Sequence, residues 1–279
     1  MLWETMIEYL KSWFNYPGLA WHWMLIGIGL AIVFGAIWLL SHWPPLFKKP
    51  WFWVVAIVSA FLTLLAVAFI QIPLQNWAGE ALNHFFSQGT LMDWLLLVGI
   101  PMVLISGLVQ EGAKMVPMVF WWWRSGKNIT PKMGLAIGAI AGVGYALFET
   151  TWTHGQVFMS GWTWDSVSLY GYQALLPFWE RFWMVAVHIS ISALVGYGLA
   201  KGKGWQFYLL ASVLHGLVNY VVVPYQKGMI TINQIEIYLA AAAALITLAV
   251  LWVRWRRKEE EAEVPLEPLE PDKPVEIDI

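Results

Sequence analysis

The chain has 279 residues, of which 59% are apolar, 12% are charged and 21 are tryptophan, and its mean hydropathy is +0.60. A soluble domain carries about 25% charge, so this balance excludes a soluble globular enzyme, a nucleic-acid binder with a basic groove and a disordered chain. The formal charge of −2 is unevenly placed: residues 1–253 hold 11 Lys and Arg against 9 Asp and Glu, whereas residues 254–279 hold 5 against 9.

The composition predicts an all-α membrane protein of seven transmembrane helices, each needing roughly 20 mostly apolar residues to cross a bilayer. Residues 1–20 come first, with Met6, Tyr9, Leu10 and Trp13 on one helical face, and they read as an interfacial amphipathic helix. No basic stretch precedes the first long apolar run, so no cleavable signal peptide is expected. The polytopic domain spans 21–253, with crossings near 22–41, 51–71, 94–122, 133–152, 179–200, 205–223 and 235–253. The third contains Gly107 and Pro117 and is expected to be tilted, or broken at one of them, because proline removes an intrahelical hydrogen bond. Residues 76–89 place Trp77, Ala81 and Phe85 together and read as a second interfacial stretch. Residues 153–178, aromatic and Gly-rich, read as an aromatic belt at the headgroups or as a lid. Past the last crossing, the basic cluster 254–258 reads as a stop-transfer signal and anionic-lipid contact. Residues 259–279 carry proline at every third position among acids, the composition of an extended disordered tail.

Orientation follows from lysine and arginine in the short loops. Lys48 and Lys49, then Arg124, Lys127 and Lys132, then Lys201 and Lys203, then residues 254–258 all fall after odd-numbered crossings. The alternation predicts an N-terminus outside and a C-terminus in the cytoplasm.

An ionisable side chain inside a bilayer costs a few kcal/mol, and chains keep one only where it faces a protected interior. The candidates are Gln110, Glu111 and Lys114 in the third crossing, Glu149 in the fourth, Arg181 and His188 in the fifth, and His215 and Asn219 in the sixth. Crossings one, two and seven are read as contributing no acid or base to their interiors, which puts the polar core in helices three to six. At ~1.5 Å per residue, Glu111, His188 and His215 lie at one depth near the midplane, about 16–18 Å from the cytoplasmic ends. Glu149 counts to about 25 Å by the same rule. Glu111 and Lys114 are three apart and suited to pair, Gly138, Gly142 and Gly144 permit close helix packing, and Arg181 reads as an outer-interface anchor. His22, His42, His84 and His154 read as interfacial.

Two imidazoles and a carboxylate make a catalytic zinc shell with one open position, and a second carboxylate is then a general base for the bound water. A Glu–His pair without metal also suits water activation. The absence of cysteine removes disulfides, Cys-ligated metal sites and thiol nucleophiles, and the H-E-x-x-H spacing of soluble zinc proteases is missing.

Four stretches resemble the PrsW-type intramembrane proteases, part of a superfamily that includes the CAAX prenyl proteases. Residues 107–114 (GLVQEGAK) are similar to the family's E-E-x-x-K, and residues 142–149 (GVGYALFE) to its G-x-G-F-A-x-x-E. Arg181, His188 and the Gly196-Tyr197-Gly198 stretch resemble its R…H…G-x-G pattern, and residues 214–219 (LHGLVN) its H-x-x-x-[DN]. The resemblance implies cleavage of a peptide bond within or beside a membrane, in a multi-pass protein of a prokaryotic plasma membrane. It implies catalytic roles for Glu111, Glu149, Asn219 and Lys114, tentative zinc ligation by His188, His215 and Glu149, and a membrane-embedded protein substrate.

One position departs from the pattern. The first glutamate of the family's pair is Gln110 here, and an amide cannot take a proton. Either Glu111 or Glu149 does that work, or the protein is a non-catalytic relative that binds membrane segments or lipids. A proton-coupled transporter is the third reading, disfavoured because carriers usually show two related halves and here only one half is polar.

Overall fold

The computed structural model describes residues 2–13, 15–44, 46 and 48–263. The protein is 86% helical with no strand among the described residues, and seven helices are long and apolar enough to cross a membrane. The proline-spaced tail expected from 259 onward lies mostly outside the described residues; only its first turn appears, as the end of the last helix.

The helices are α1 (Leu2–Ser12), α2 (Trp21–His42), α3 (Trp51–Ala66), α4 (Ile72–Phe85), α5 (Gln88–Asp93), α6 (Leu95–Arg124), α7 (Pro131–Met159), α8 (Trp164–Tyr170), α9 (Leu176–Ala200), α10 (Gly204–Tyr220), α11 (Val222–Gln226) and α12 (Ile232–Glu263). Helix α7 is the hub, with α2, α3 and α9 packed along it. Helix α9 in turn carries α10 and α12, and α6 closes the bundle against α3 and α10. The meeting point of α6, α7, α9 and α10 is therefore interior by construction.

Small residues make that meeting point tight. On α7, Gly134, Gly138 and Gly142 recur every four residues and form one strip. A Cβ on Gly138 would fall 2.1 Å from the Ser192 carbonyl oxygen, and one on Gly142 would fall 2.3 Å from that of His188. Helix α6 meets α10 in the same way, since a Cβ on Gly107 would lie 2.2 Å from the Ser212 carbonyl. Without a hydrophobic force between helices in lipid, such close backbone approach supplies the dispersion contact that holds them.

The ends are set by local chemistry. Thr130 accepts the Met133 N–H at 3.2 Å and Pro131 takes the first helical position of α7, where no amide proton is needed. Gly126 (φ +66°) and Gly202 (φ +67°) supply the left-handed turns after α6 and α9.

Several expectations need correction. Helix α6 is continuous through Gly107, Pro101 and Pro117; Gly107 is a packing surface, not a break. The 76–89 stretch is not one free-standing helix: up to Phe85 it is the end of α4, into which α3 runs through a π-helical turn, Val67–Gln71, and from Gln88 it belongs to α5. Helix α1 does not turn its apolar face to lipid. Trp13 is buried with Leu64 and Tyr145 and stacks on Trp152 at 5.4 Å and 10°, so α1 caps one end of the bundle. The capping tyrosine Tyr16 is pushed up to about 12 by burial and stays neutral. The stretch 153–178 begins as the last turns of α7, where His154 is fully buried and its Nδ1 lies 3.0 Å from the Gly27 carbonyl. His42 is buried as well, whereas His22 and His84 are exposed. The last crossing does carry an acid, since Glu236 on α12 is buried.

Candidate active site

Glu111 and Lys114 project from one face of α6, three residues apart, with side chains 0% exposed, and they form an ion pair. Two further donors reach the same carboxylate. His215 on α10 gives its Nδ1–H to Oε1 at 2.7 Å, and Ser192 on α9 gives its hydroxyl to Oε2 at 3.3 Å. The first of these bonds commits the neutral His215 ring to the Nδ1–H form and leaves Nε2 with a bare lone pair. That Nε2 is buried and has no partner among the described residues.

His188 on α9 is held from both sides. Its Nε2 lies 2.9 Å from Glu149 Oε2, and its Nδ1 lies 3.1 Å from the Lys114 ammonium. A carboxylate only accepts and an ammonium only donates, so the neutral ring carries its proton on Nε2. The two imidazoles face each other with centroids 5.2 Å apart.

Glu149 has two more donors. Tyr145, one turn earlier on α7, gives its hydroxyl to Oε1 at 3.2 Å, and Arg181 approaches Oε2 at 3.4 Å. Arg181 also pairs with Glu180. The Glu149 side chain is 18% exposed, which makes it the open edge of the cluster. Two carboxylates, Glu111 and Glu149, thus face two permanent cations, Lys114 and Arg181. Each of these two carboxylates therefore has a cation beside it.

The prediction that Glu111, His188 and His215 share one level agrees with their mutual contacts. Glu149, counted nearer the outer face, meets His188 across the α7–α9 seam at 2.9 Å. Arg181 is no outer-interface anchor: it is buried and bound to Glu149. Asn219 is half-buried one turn beyond His215, and no side-chain hydrogen bond joins it to the cluster. Gln110 lies beside the cluster in an amide ladder. Its Nε2 donates to Gln71 Oε1 at 3.1 Å and to Ser106 Oγ at 3.2 Å. The π turn carries Gln71, consistent with the frequent placement of such turns at functional sites.

Tyr145, Ser192, Gln71 and Glu180 were not assigned roles from sequence. Tyr145 and Glu149 are four apart, a spacing that already puts them on one helix face. The partnership of Gln71 with Gln110 had no sequence signal, because 39 residues and a π turn separate them.

The donor set bears on metal binding. Glu111, His188 and His215 each offer one ligand atom, and these atoms lie within 4.8 Å of one another, all buried. Two imidazoles and a carboxylate suit zinc, and the bare Nε2 of His215 is an orphaned buried acceptor. The carboxylate in this group is Glu111; Glu149 instead binds the Nε2 edge of His188. The Lys114 ammonium already links Glu111 and His188, so a divalent cation among the three would need that side chain to swing aside.

No curated protein and no solved structure shows a match to the chain. Residues 48–253, well over half of its length and all of the cluster, match the family model described as PrsW family intramembrane metalloprotease.

Proposed function

The chain belongs to the PrsW family of intramembrane metalloproteases, and from that premise we propose that it hydrolyses a peptide bond of a membrane-embedded protein at the Glu111–His188–His215 cluster. One observation carries the reading: acid, base and cation from four different helices touch one another in the interior.

Hydrolysis needs a proton acceptor for water, a rigid hold on that acceptor and positive charge where the oxyanion develops. The Glu111–His215 pair suits the first two. The carboxylate fixes the ring through Nδ1–H and leaves Nε2 to take a proton from water, the division of labour of a carboxylate–histidine dyad. Ser192 and Lys114 hold the carboxylate in place. His188, pinned between Lys114 and Glu149, keeps the ammonium near the reacting carbonyl. Glu149, the more exposed acid, is oriented by Tyr145 and Arg181 and holds His188 through the ring Nε2–H; the proton that His215 takes from water passes on to the leaving amine. Asn219 remains a proposed oxyanion donor that would have to turn inward on substrate entry. A zinc ion held by Glu111, His188 and His215 would supply Lewis acidity and a water of lowered pKa, with His215 Nε2 then a ligand and not the base.

The test is cleavage of a fluorogenic transmembrane peptide by the purified protein. Glu111→Ala, His188→Ala and His215→Ala are each expected to lose at least about 100-fold, the scale of removing a general base. Rates in all three equal to that of the natural chain would remove the assignment. Elemental analysis of wild type beside His188→Ala/His215→Ala tests the metal separately.

Gln110 favours a second reading, that of a non-catalytic relative that binds membrane segments. Its amide donates to Gln71 Oε1 and Ser106 Oγ, where a carboxylate could only accept. Activity appearing in Gln110→Glu, where the natural protein has none, would decide for it.

A further inference from the structure

Helices α2 and α3 both pack along α7 but make little contact with one another. The gap between them is a groove of about 740 Å³, floored by small residues that include Gly35, Ala36, Ala56 and Gly144. It adjoins a second apolar space of about 370 Å³ through Ile32, Leu147 and Phe148. Together they run along α2 from its C-terminal end, at Trp43 and Lys48, to Trp23 and Tyr16.

The groove does not open onto the cluster. Ser59 on α3 gives its hydroxyl to the Ala141 carbonyl at 2.8 Å, and Gly144 lets α7 close on the Ala56 backbone. That seam separates the groove from Glu111 and His215, which disfavours a route for substrate.

One end of the groove is basic. Lys48 lies at its lip. An adjoining pocket of about 400 Å³ shares Leu40 and Trp43 with it and is lined by Lys132 and Arg254. Trp43 stands between the two spaces, its backbone in the left-handed region at φ +42°, and Arg254 donates to its carbonyl at 3.5 Å. Among the described residues, the lining of neither space includes an acid. An apolar slot as long as a helix, ending at three cations, matches a molecule with a long hydrocarbon chain and an anionic head.

We propose that the α2–α3 groove binds one anionic phospholipid, its acyl chain along α7 and its phosphate on Lys132 and Arg254 with Lys48 at the lip. Basic pockets between transmembrane helices hold anionic headgroups by this charge complementarity, and the buried chain adds apolar contact. The lipid would complete the α2–α3–α7 packing that the protein leaves open. It would also tie the α12 end to α2.

The full chain, purified in mild detergent, is titrated by native mass spectrometry with phosphatidylglycerol, with phosphatidylcholine of the same acyl chains, and with inorganic phosphate. One phosphatidylglycerol is expected per chain, preferred over phosphatidylcholine by about tenfold, with no binding of phosphate alone. Lys132→Gln/Arg254→Gln is expected to erase the preference but keep phosphatidylcholine binding unchanged. Ala36→Trp, at an exposed lining position, is expected to weaken both lipids by filling the slot. Lys48→Gln, also exposed, is a second charge variant that leaves the helix packing alone. Equal retention of the two lipids by the natural chain would overturn the proposal. So would an undiminished preference in all three variants, or binding of free phosphate as strong as that of the lipid. Displacement of the bound lipid by an equimolar transmembrane peptide, with no headgroup preference, would give the groove to a protein segment instead.

Discussion

Replacing Lys114 by methionine isolates the central electrostatic claim. The change keeps most of the side-chain volume and removes the charge. Glu111 would then stay ionised at 0% exposure with one imidazole N–H at 2.7 Å and one hydroxyl at 3.3 Å as its remaining donors. Breaking a buried ion pair from one side costs about 3–5 kcal/mol. The ammonium also lies 5.6 Å from the Tyr145 ring centroid, a contact worth about 2 kcal/mol when desolvated. The expected loss for Lys114→Met is therefore about 5–7 kcal/mol. Glu111→Gln alone leaves the ammonium with neutral acceptors and no counter-charge beside it, and is expected to cost a similar amount. The double variant Lys114→Met/Glu111→Gln removes both charges and keeps the His215 bond, so its loss should be at least about 2 kcal/mol smaller than the sum of the singles. Denaturant-induced unfolding in bicelles, followed through tryptophan fluorescence, measures all four corners. A Lys114→Met loss below about 1 kcal/mol, or a double variant that is additive, would refute the buried pair.

Gly142→Ala should separate α7 from α9, because the new Cβ meets the His188 carbonyl oxygen at 2.3 Å. A loss of about 1–3 kcal/mol with lower peptide cleavage is expected, and an unchanged unfolding midpoint would contradict the seam. Trp13→Ala removes the stacked partner of Trp152 and should cost about 3–5 kcal/mol; a midpoint equal to that of the natural chain would mean that α1 does not cap the bundle. The chain has no cysteine, so single cysteines at Gly79 and Lys201 report orientation by labelling with an impermeant maleimide. Labelling of position 79 from outside and of 201 only after permeabilisation is expected; the reverse would invert the topology.

The crossings were legible in the residues because insertion is a local property: about 20 apolar residues in a row are enough, whatever lies beside them. The polar list was legible for the same reason, since each ionisable group in such a run carries a cost that something must offset. Arg181 and His154 were misjudged because position near a span end does not tell which way a side chain turns. Arg181 turns inward to Glu149 and His154 to the Gly27 carbonyl. Glu236 lies inside the 235–253 crossing and was legible there but passed over. The π turn was not legible, because it depends on how neighbouring helices pack.

The sequence by itself determined the membrane-spanning class, the number of crossings, the four helices that carry polar groups and the membership of the central pair, Glu111 with Lys114. Tertiary structure alone decided that Glu111 meets His215, that Glu149 meets His188 and that the ammonium lies between Glu111 and His188. These pairings depend on the rotation and crossing of α6, α7, α9 and α10. Those angles are set by glycine seams such as Gly138 on Ser192, where backbone meets backbone across many intervening residues and no local pattern records the partner.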